Sequence, residues 1–153
     1  MEFQRKSLEE QHYLYVAKEV PYGPEIAEAM GAAFGEVFAF VGQNGLTPLS
    51  MPMSVYLEMD PNILRFRAGV LVSEQDAGLA NDSVKADSLP AGDAYTGTHV
   101  GSYDSLSESH KALWQHMEDS GVKGKMPVWE IYVDDPGETP PEKLRTEIFQ
   151  MVA

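Results

Sequence analysis

The stretch Met126-Pro-Val-Trp-Glu-Ile-Tyr-Val-Asp-Asp-Pro136 has the composition of a β-strand and carries one acid among aromatic residues. Side chains of a strand alternate between the two faces of its sheet. Trp129 and Ile131 therefore share a wholly apolar face, which we predict to be the core face. Glu130 lies with Tyr132 on the opposite face. An acid in this position is either a solvated sheet residue or the charged floor of a pocket.

The landmarks of this stretch occur twice in the chain. Met51-Pro52 and Asp60-Pro61 match Met126-Pro127 and Asp135-Pro136 end to end. Residues before each copy predict a strand and then a helix, and a further strand beginning with Leu-Arg follows each copy. The chain is therefore predicted to contain two strand-helix-strand-strand repeats.

These repeats, at about 11–73 and 82–153, are predicted to form a single domain over residues 1–153. One hairpin is unstable alone, so two such units are expected to share one sheet. We therefore predict an α+β fold with one eight-stranded antiparallel sheet. Its two helices lie on one face, and a concave ligand cleft lies on the other.

The two helices are predicted from local signals. The first should begin near Glu25 and end near Gly45, and its internal Gly31 and Gly35 predict close approach to a sheet or another helix. The second should begin with a capping box at residues 105–108. Residues 73–81 are predicted to be a loop, and the first strand to begin near residue 13.

Composition limits the function classes. The chain has 153 residues, a formal net charge of −13, no cysteine and no apolar segment long enough to span a membrane. This charge argues against direct nucleic-acid binding and against an anionic membrane surface. The four histidines lack metal-ligand spacing, and no nucleotide-binding motif is present, so neither a metal nor a cofactor is predicted. A cytoplasmic protein is expected.

The predicted helix-free face collects aromatic and acidic side chains. Its candidate ligand-binding residues are Tyr56, Glu130, Tyr132, Glu147 and Phe149, with Arg65 and Arg67 at the edge. Aromatic faces attract cations, and a carboxylate in an apolar cleft is costly unless something pairs with it. A lipophilic aromatic cation would offset that cost, and so would Arg67 or a proton on Glu130.

Three motifs together resemble the GyrI-like effector-binding family, which includes ligand domains of AraC-type and MerR-type multidrug regulators and the DNA gyrase inhibitor. They are His99-Val-Gly-Ser-Tyr103, Pro127-Val-Trp-Glu-Ile-Tyr-Val-Asp-Asp-Pro136 and Thr146-Glu-Ile-Phe149. The resemblance implies a duplicated fold with a central cleft and a ligand-contacting glutamate at Glu130. It also implies that Glu147 and Phe149 line the cleft.

The preferred hypothesis is a stand-alone protein that binds small lipophilic aromatic compounds, neutral or cationic. Tyr15, Tyr95 and Trp114 complete the candidate ligand-binding set, although helix spacing favours core packing for Trp114. No helix-turn-helix precedes the domain, so we do not expect the chain itself to be a DNA-binding regulator. The natural ligand and the oligomeric state stay open.

Two other functions follow from the resemblance. Some stand-alone members are similar to hydrolases that open cyclopropane rings of DNA-alkylating compounds. Glu130 would then be the base, and Tyr132, Tyr103 or Tyr56 the phenol that donates to the substrate. The third hypothesis is a protein-interaction role, with gyrase or a regulator as the partner of an acidic surface.

Overall fold

The structure, a computed structural model, describes all residues from Met1 to Ala153. Eight strands and three helices alternate along the chain, with two short 3-10 turns at Tyr103–Ser105 and Pro141–Lys143. The strands are β1 (Phe3–Leu8), β2 (Gln11–Pro21), β3 (Met53–Tyr56), β4 (Ile63–Val72), β5 (Lys85–Leu89), β6 (Gly92–Val100), β7 (Gly124–Tyr132) and β8 (Arg145–Val152). The helices are α1 (Glu25–Gln43), α2 (Glu74–Ala77) and α3 (Leu106–Asp119).

All eight strands form one antiparallel sheet in the order β1-β6-β8-β7-β3-β4-β2-β5. The predicted α+β class and eight-stranded antiparallel sheet are therefore confirmed. The order is symmetric about the β7–β3 pair at its centre. Each half also takes its outermost strand from the other half of the chain, because β1 pairs with β6 and β5 pairs with β2.

The sheet is strongly curved. Two residues link β5 to β6, which stand at positions eight and two of the strand order. In a flat sheet these strands would lie about 29 Å apart, since neighbouring strands are spaced by about 4.8 Å. The short link spans at most about 11 Å. The two ends of the sheet must therefore bend toward each other around the helix-free face.

Both faces of the sheet carry a hydrophobic core. On one face α1 packs Ala33 and Val37 onto the β2–β4 half, and α3 packs Leu113 and Met117 onto the β6–β8 half. The other face has no helix, yet its side chains are buried inside the curve of the sheet. They are Tyr13, Tyr15, Met53, Val55, Leu71, Leu89, Ala94, Trp129, Phe149 and Met151.

Four local predictions were wrong. The polar segment 3–8 is an edge strand, and residues 74–77 within the predicted loop form a helix capped by Ser73. The side chain of Ser105 makes no capping bond to α3. At positions 31 and 35 of α1, an added Cβ would have no neighbouring atom within 4 Å, so close packing does not explain these glycines.

None of the helices combines the length and apolar character required to cross a bilayer.

Candidate ligand-binding site

A cavity of about 1000 Å³ lies between α1, α3 and the centre of the sheet. Its walls are mainly apolar, and the side chains that α1 and α3 contribute include Ile26, Met30, Phe34, Phe38, Leu106 and Trp114. The cavity that contains Glu130 is thus on the helix face, so the prediction that the cleft of Glu130 lies on the helix-free face was wrong. The curved sheet fills the centre of its helix-free face with the second core and leaves there a smaller pocket of about 400 Å³, lined by residues that include Val55, Arg65 and Arg67.

Glu130 is the buried acid of this cavity. It projects from β7 toward the helices and is only 4% exposed. Its Oε1 accepts a hydrogen bond from the Tyr56 hydroxyl at 2.5 Å and lies 3.1 Å from the Tyr132 hydroxyl. The Tyr132 oxygen is also 2.9 Å from Ser54 Oγ. Since a phenol has one proton, the consistent arrangement is that Ser54 donates to Tyr132 and Tyr132 donates to Glu130.

The two tyrosine hydroxyls are held in their protonated form. Burial is the main cause that raises the pKa of Tyr56 well above its ordinary value, and the negative charge of Glu130 adds to it. The pKa of Tyr132 is raised well above its ordinary value in the same way. Both phenols therefore remain hydrogen-bond donors to the carboxylate over the physiological range.

The second carboxylate oxygen faces helix α3. Glu130 Oε2 lies 3.3 Å from Nε2 of His110, whose ring also lines the cavity. The other ring nitrogen, Nδ1, is buried and has no hydrogen-bond partner. One oxygen of Glu130 is thus held by two phenols, and the other has a single, longer contact.

Aromatic side chains are fixed around this acid. The indole Nε1 of Trp114 donates to Gln150 Oε1 at 2.8 Å, although the residue is 38% exposed. The Tyr103 ring meets the Tyr132 ring edge-on at 5.4 Å, and Phe34 meets Tyr132 edge-on at 6.1 Å. Aromatic walls of this kind bind flat apolar groups and cations alike.

The mouth of the cavity is charged and partly exposed. Arg145 donates to both carboxylate oxygens of Asp134, at 2.9 and 2.8 Å, and thereby neutralises that acid. Asp135 and Lys111 also line the opening. Burial, followed by the charges of Asp134 and Asp135, raises the pKa of Tyr103 at the same end.

The structure brings five of the predicted site residues together in the cavity lining. They are Glu130, Tyr132, Tyr56, Tyr103 and Trp114. It places the remaining ones elsewhere. Tyr95 packs against His116, while Glu147, Phe149, Tyr15 and Arg67 lie on the helix-free face.

The strand register explains this separation. Glu130 pairs with Ile148 across the β7–β8 ladder, and directly paired residues share a face. The neighbours of Ile148, Glu147 and Phe149, must therefore point to the other side. The prediction that they share a face with Glu130 was wrong.

Arg67 belongs to a separate cluster of side chains on the helix-free face of the sheet. Its guanidinium lies 4.1 Å from the centre of the Tyr15 ring, donates to the Tyr13 hydroxyl at 3.0 Å and pairs with Asp87. In the β3–β4 ladder the backbone of Arg67 is paired with that of Val55. Arg67 therefore lies on the face of the sheet opposite Glu130. Arg67 thus cannot neutralise Glu130.

Sequence reasoning missed three residues that shape the site. His110 contacts Glu130, Ser54 contacts Tyr132, and Gln150 holds Trp114. His110 does stand in the helical stripe with Leu106 and lies close to Trp114 in sequence, and this spacing was the available signal. Ser54 and Gln150 gave no signal, because their partners come from distant parts of the chain.

The chain is similar in fold to several solved structures. A comparison with curated protein sequences gave no significant match. Among solved structures, the EcmrR C-terminal domain is similar with a TM-score of 0.83 and 22% identity, over 99% of this chain and 97% of that one. SAV2435 bound to tetraphenylphosphonium has a TM-score of 0.67 and 14% identity, over 100% of this chain and 94% of that one.

A hydrolase from Listeria innocua is also similar, with a TM-score of 0.65 and 18% identity over 99% of this chain and 91% of that one. At such identities these likenesses show the fold. The family model described as the GyrI-like small molecule binding domain matches residues 1–153. The chain therefore belongs to the GyrI-like small molecule binding domain family.

Proposed function

We propose that this protein binds lipophilic aromatic cations in the cavity between α1 and α3, and that the positive charge of the ligand pairs with the carboxylate of Glu130. The observation that carries the proposal is a carboxylate, 4% exposed, whose nearest charged or titratable contacts are two neutral phenols and one histidine. No lysine or arginine pairs with it. A buried anion without a permanent counter-charge is costly, and a cationic ligand offsets that cost.

The size and lining of the cavity support the same class of ligand. A volume of about 1000 Å³ is at the upper end of small-molecule sites and accommodates several aromatic rings. Its walls offer the Trp114, Tyr103 and Phe34 rings. SAV2435, a structural neighbour, is bound to tetraphenylphosphonium, a cation of four phenyl rings. This makes tetraphenylphosphonium a suitable first probe.

The test is a calorimetric titration of the wild type and Glu130→Gln with tetraphenylphosphonium and with neutral triphenylphosphine oxide. Loss of a buried charge pair should weaken the cation about 10- to 100-fold and the neutral compound by less than about threefold. Glu147→Gln is the matched control, because that acid lies on the helix-free face. Equal losses for both compounds, or no binding of either by the wild type, would refute the proposal.

A second candidate function is hydrolysis of a small electrophile. The specific observation in its favour is the contact between Glu130 and His110, a pairing that could activate water beside the phenol donors Tyr56 and Tyr132. The Listeria innocua neighbour is described as a hydrolase. Incubation with excess cyclopropane-bearing alkylator should then yield more than one equivalent of ring-opened product, absent in Glu130→Gln. A yield at or below one equivalent would rule out turnover of that compound.

A further inference from the structure

His110 is the single side chain next to Glu130 that can carry a positive charge. The other titratable groups of this region are Glu130 and Tyr132 from β7, Tyr56 from β3, Tyr103 from the 3-10 turn before α3, and Tyr22 from the link between β2 and α1. Helix α1 contributes only apolar residues to the cavity. The charged Lys111, Asp134 and Asp135 line its mouth.

The surroundings of the imidazole ring fit its neutral form. In that form a proton on Nε2 donates to Glu130 Oε2, 3.3 Å away. A protonated ring would also carry a proton on Nδ1, which is buried and has no acceptor. A buried charged donor without an acceptor is more costly than a buried lone pair without a donor. Protonation is nevertheless compensated in part, because it creates an ion pair with Glu130.

We propose that a proton on His110 and a cationic ligand compete for the negative charge of Glu130. This inference rests on the proposed function and adds the residue that sets the preference for charge. With His110 neutral, the Glu130 site carries one negative charge and accepts a cation. With His110 protonated, the histidine is the counter-cation, so the site is neutral and suits an uncharged aromatic ligand.

The consequence is a pH dependence that differs between ligand classes. The affinity for a permanent cation should increase as the pH rises, because fewer molecules then carry the competing proton on His110, and cation binding should release that proton. A neutral ligand should bind with nearly constant affinity. A unit charge about 6 Å from the ligand in a partly buried site changes affinity by at least about tenfold.

The experiment measures tetraphenylphosphonium and triphenylphosphine oxide binding between about pH 5.5 and about pH 8.5, which brackets histidine titration. The variants are His110→Gln, which retains an amide donor for Glu130, and His116→Gln on the same helix as the control. His116 packs against Phe3 and Tyr95 and does not line the cavity. Calorimetry in two buffers of different ionisation enthalpy counts the protons released by the wild type.

The expected result is at least about tenfold tighter cation binding at the high end of the range for wild type and His116→Gln, and a flat profile for His110→Gln. If His110→Gln keeps the pH dependence, or if the wild type releases no proton, the proposal is overturned. The proton count decides the question even if His110→Gln does not fold. Failure here is distinct from failure of the proposed function, in which Glu130→Gln would weaken both compounds equally or the wild type would bind neither.

Discussion

Replacement of Tyr56 by phenylalanine isolates one bond of the candidate site. The change removes the hydroxyl that donates to Glu130 at 2.5 Å and leaves a ring of the same shape, so no cavity is created in the core. Tyr56 is 7% exposed, so the lost donor is a buried one. The carboxylate then keeps only Tyr132 and His110 as partners.

The expected cost follows from the charge of the acceptor. Hydrogen bonds to charged groups contribute about 1.5–3 kcal/mol, whereas neutral ones contribute about 0.5–1.5 kcal/mol. We therefore expect Tyr56→Phe to lower the free energy of unfolding by about 2 kcal/mol. For a domain of this size that corresponds to a decrease in Tm of about 4–8 °C.

A double-mutant cycle with Glu130→Gln tests the charge directly. In the Glu130→Gln background the Tyr56 hydroxyl bonds to a neutral amide, so Tyr56→Phe should cost about 1 kcal/mol. The difference from the cost of about 2 kcal/mol in the wild type is a coupling energy of about 1 kcal/mol. Urea unfolding followed by circular dichroism measures all four proteins. Tyr103→Phe is the control, because Tyr103 lines the same cavity and its hydroxyl does not bond to Glu130. Equal costs in both backgrounds would refute a charged Glu130 held by Tyr56.

Three further predictions concern regions outside this bond. Gly31→Ala and Gly35→Ala should each raise the free energy of unfolding by about 0.5–1 kcal/mol in urea titrations, since both sites have open space around a Cβ; a loss would reveal a contact absent from the structure. Arg67→Met should lower the free energy of unfolding by about 1–3 kcal/mol through its lost Tyr15 and Tyr13 contacts. The same change should leave tetraphenylphosphonium affinity unchanged, because Arg67 lies on the helix-free face of the sheet. A changed affinity would contradict that placement. Burial raises the pKa of Tyr13 from 10.0 to about 12, so the folded state keeps a proton that the unfolded chain loses. The contribution of Tyr13 to stability should then be constant below about pH 10 and fall by about 2–3 kcal/mol as the pH rises through about 12, as seen by phenolate absorbance and unfolding together. Phenolate formation near pH 10 by every tyrosine of the folded protein would disprove it.

The repeat and the sheet were predictable because their signals are local. Alternation in residues 53–58 and 64–72, turn residues and the repeated Met-Pro and Asp-Pro landmarks each depend on neighbours in sequence. The prediction that Tyr56 and Glu130 share a face also follows from alternation and was correct. Edge strand β1 was missed because an exposed polar edge strand has little apolar alternation to detect.

The side of the sheet on which the acid lies was not predictable by the same reasoning. The prediction assumed that the apolar face at Trp129 must be the face under the helices. Trp129 is indeed buried, at 1% exposure, but it stacks on Phe149 within the core that the curved sheet encloses. When both faces are buried, alternation separates residues into two sets and does not say which set the helices cover. That information lies in the curvature, which depends on the short β1–β2 and β5–β6 links.

The symmetry of the sheet explains why the cavity contains a single buried acid. Ser54 and Glu130 are direct partners at the central β3–β7 pair, and Tyr56 and Tyr132 each follow two residues later. The two halves thus offer equivalent positions, and a second acid at Ser54 would stand directly opposite Glu130, where like charges repel. Serine at this position instead supplies a hydroxyl to Tyr132, which leaves the Tyr132 proton for Glu130. Both repeats therefore contribute one phenol donor to one carboxylate, and the break in symmetry at Ser54 creates a site with a single negative charge.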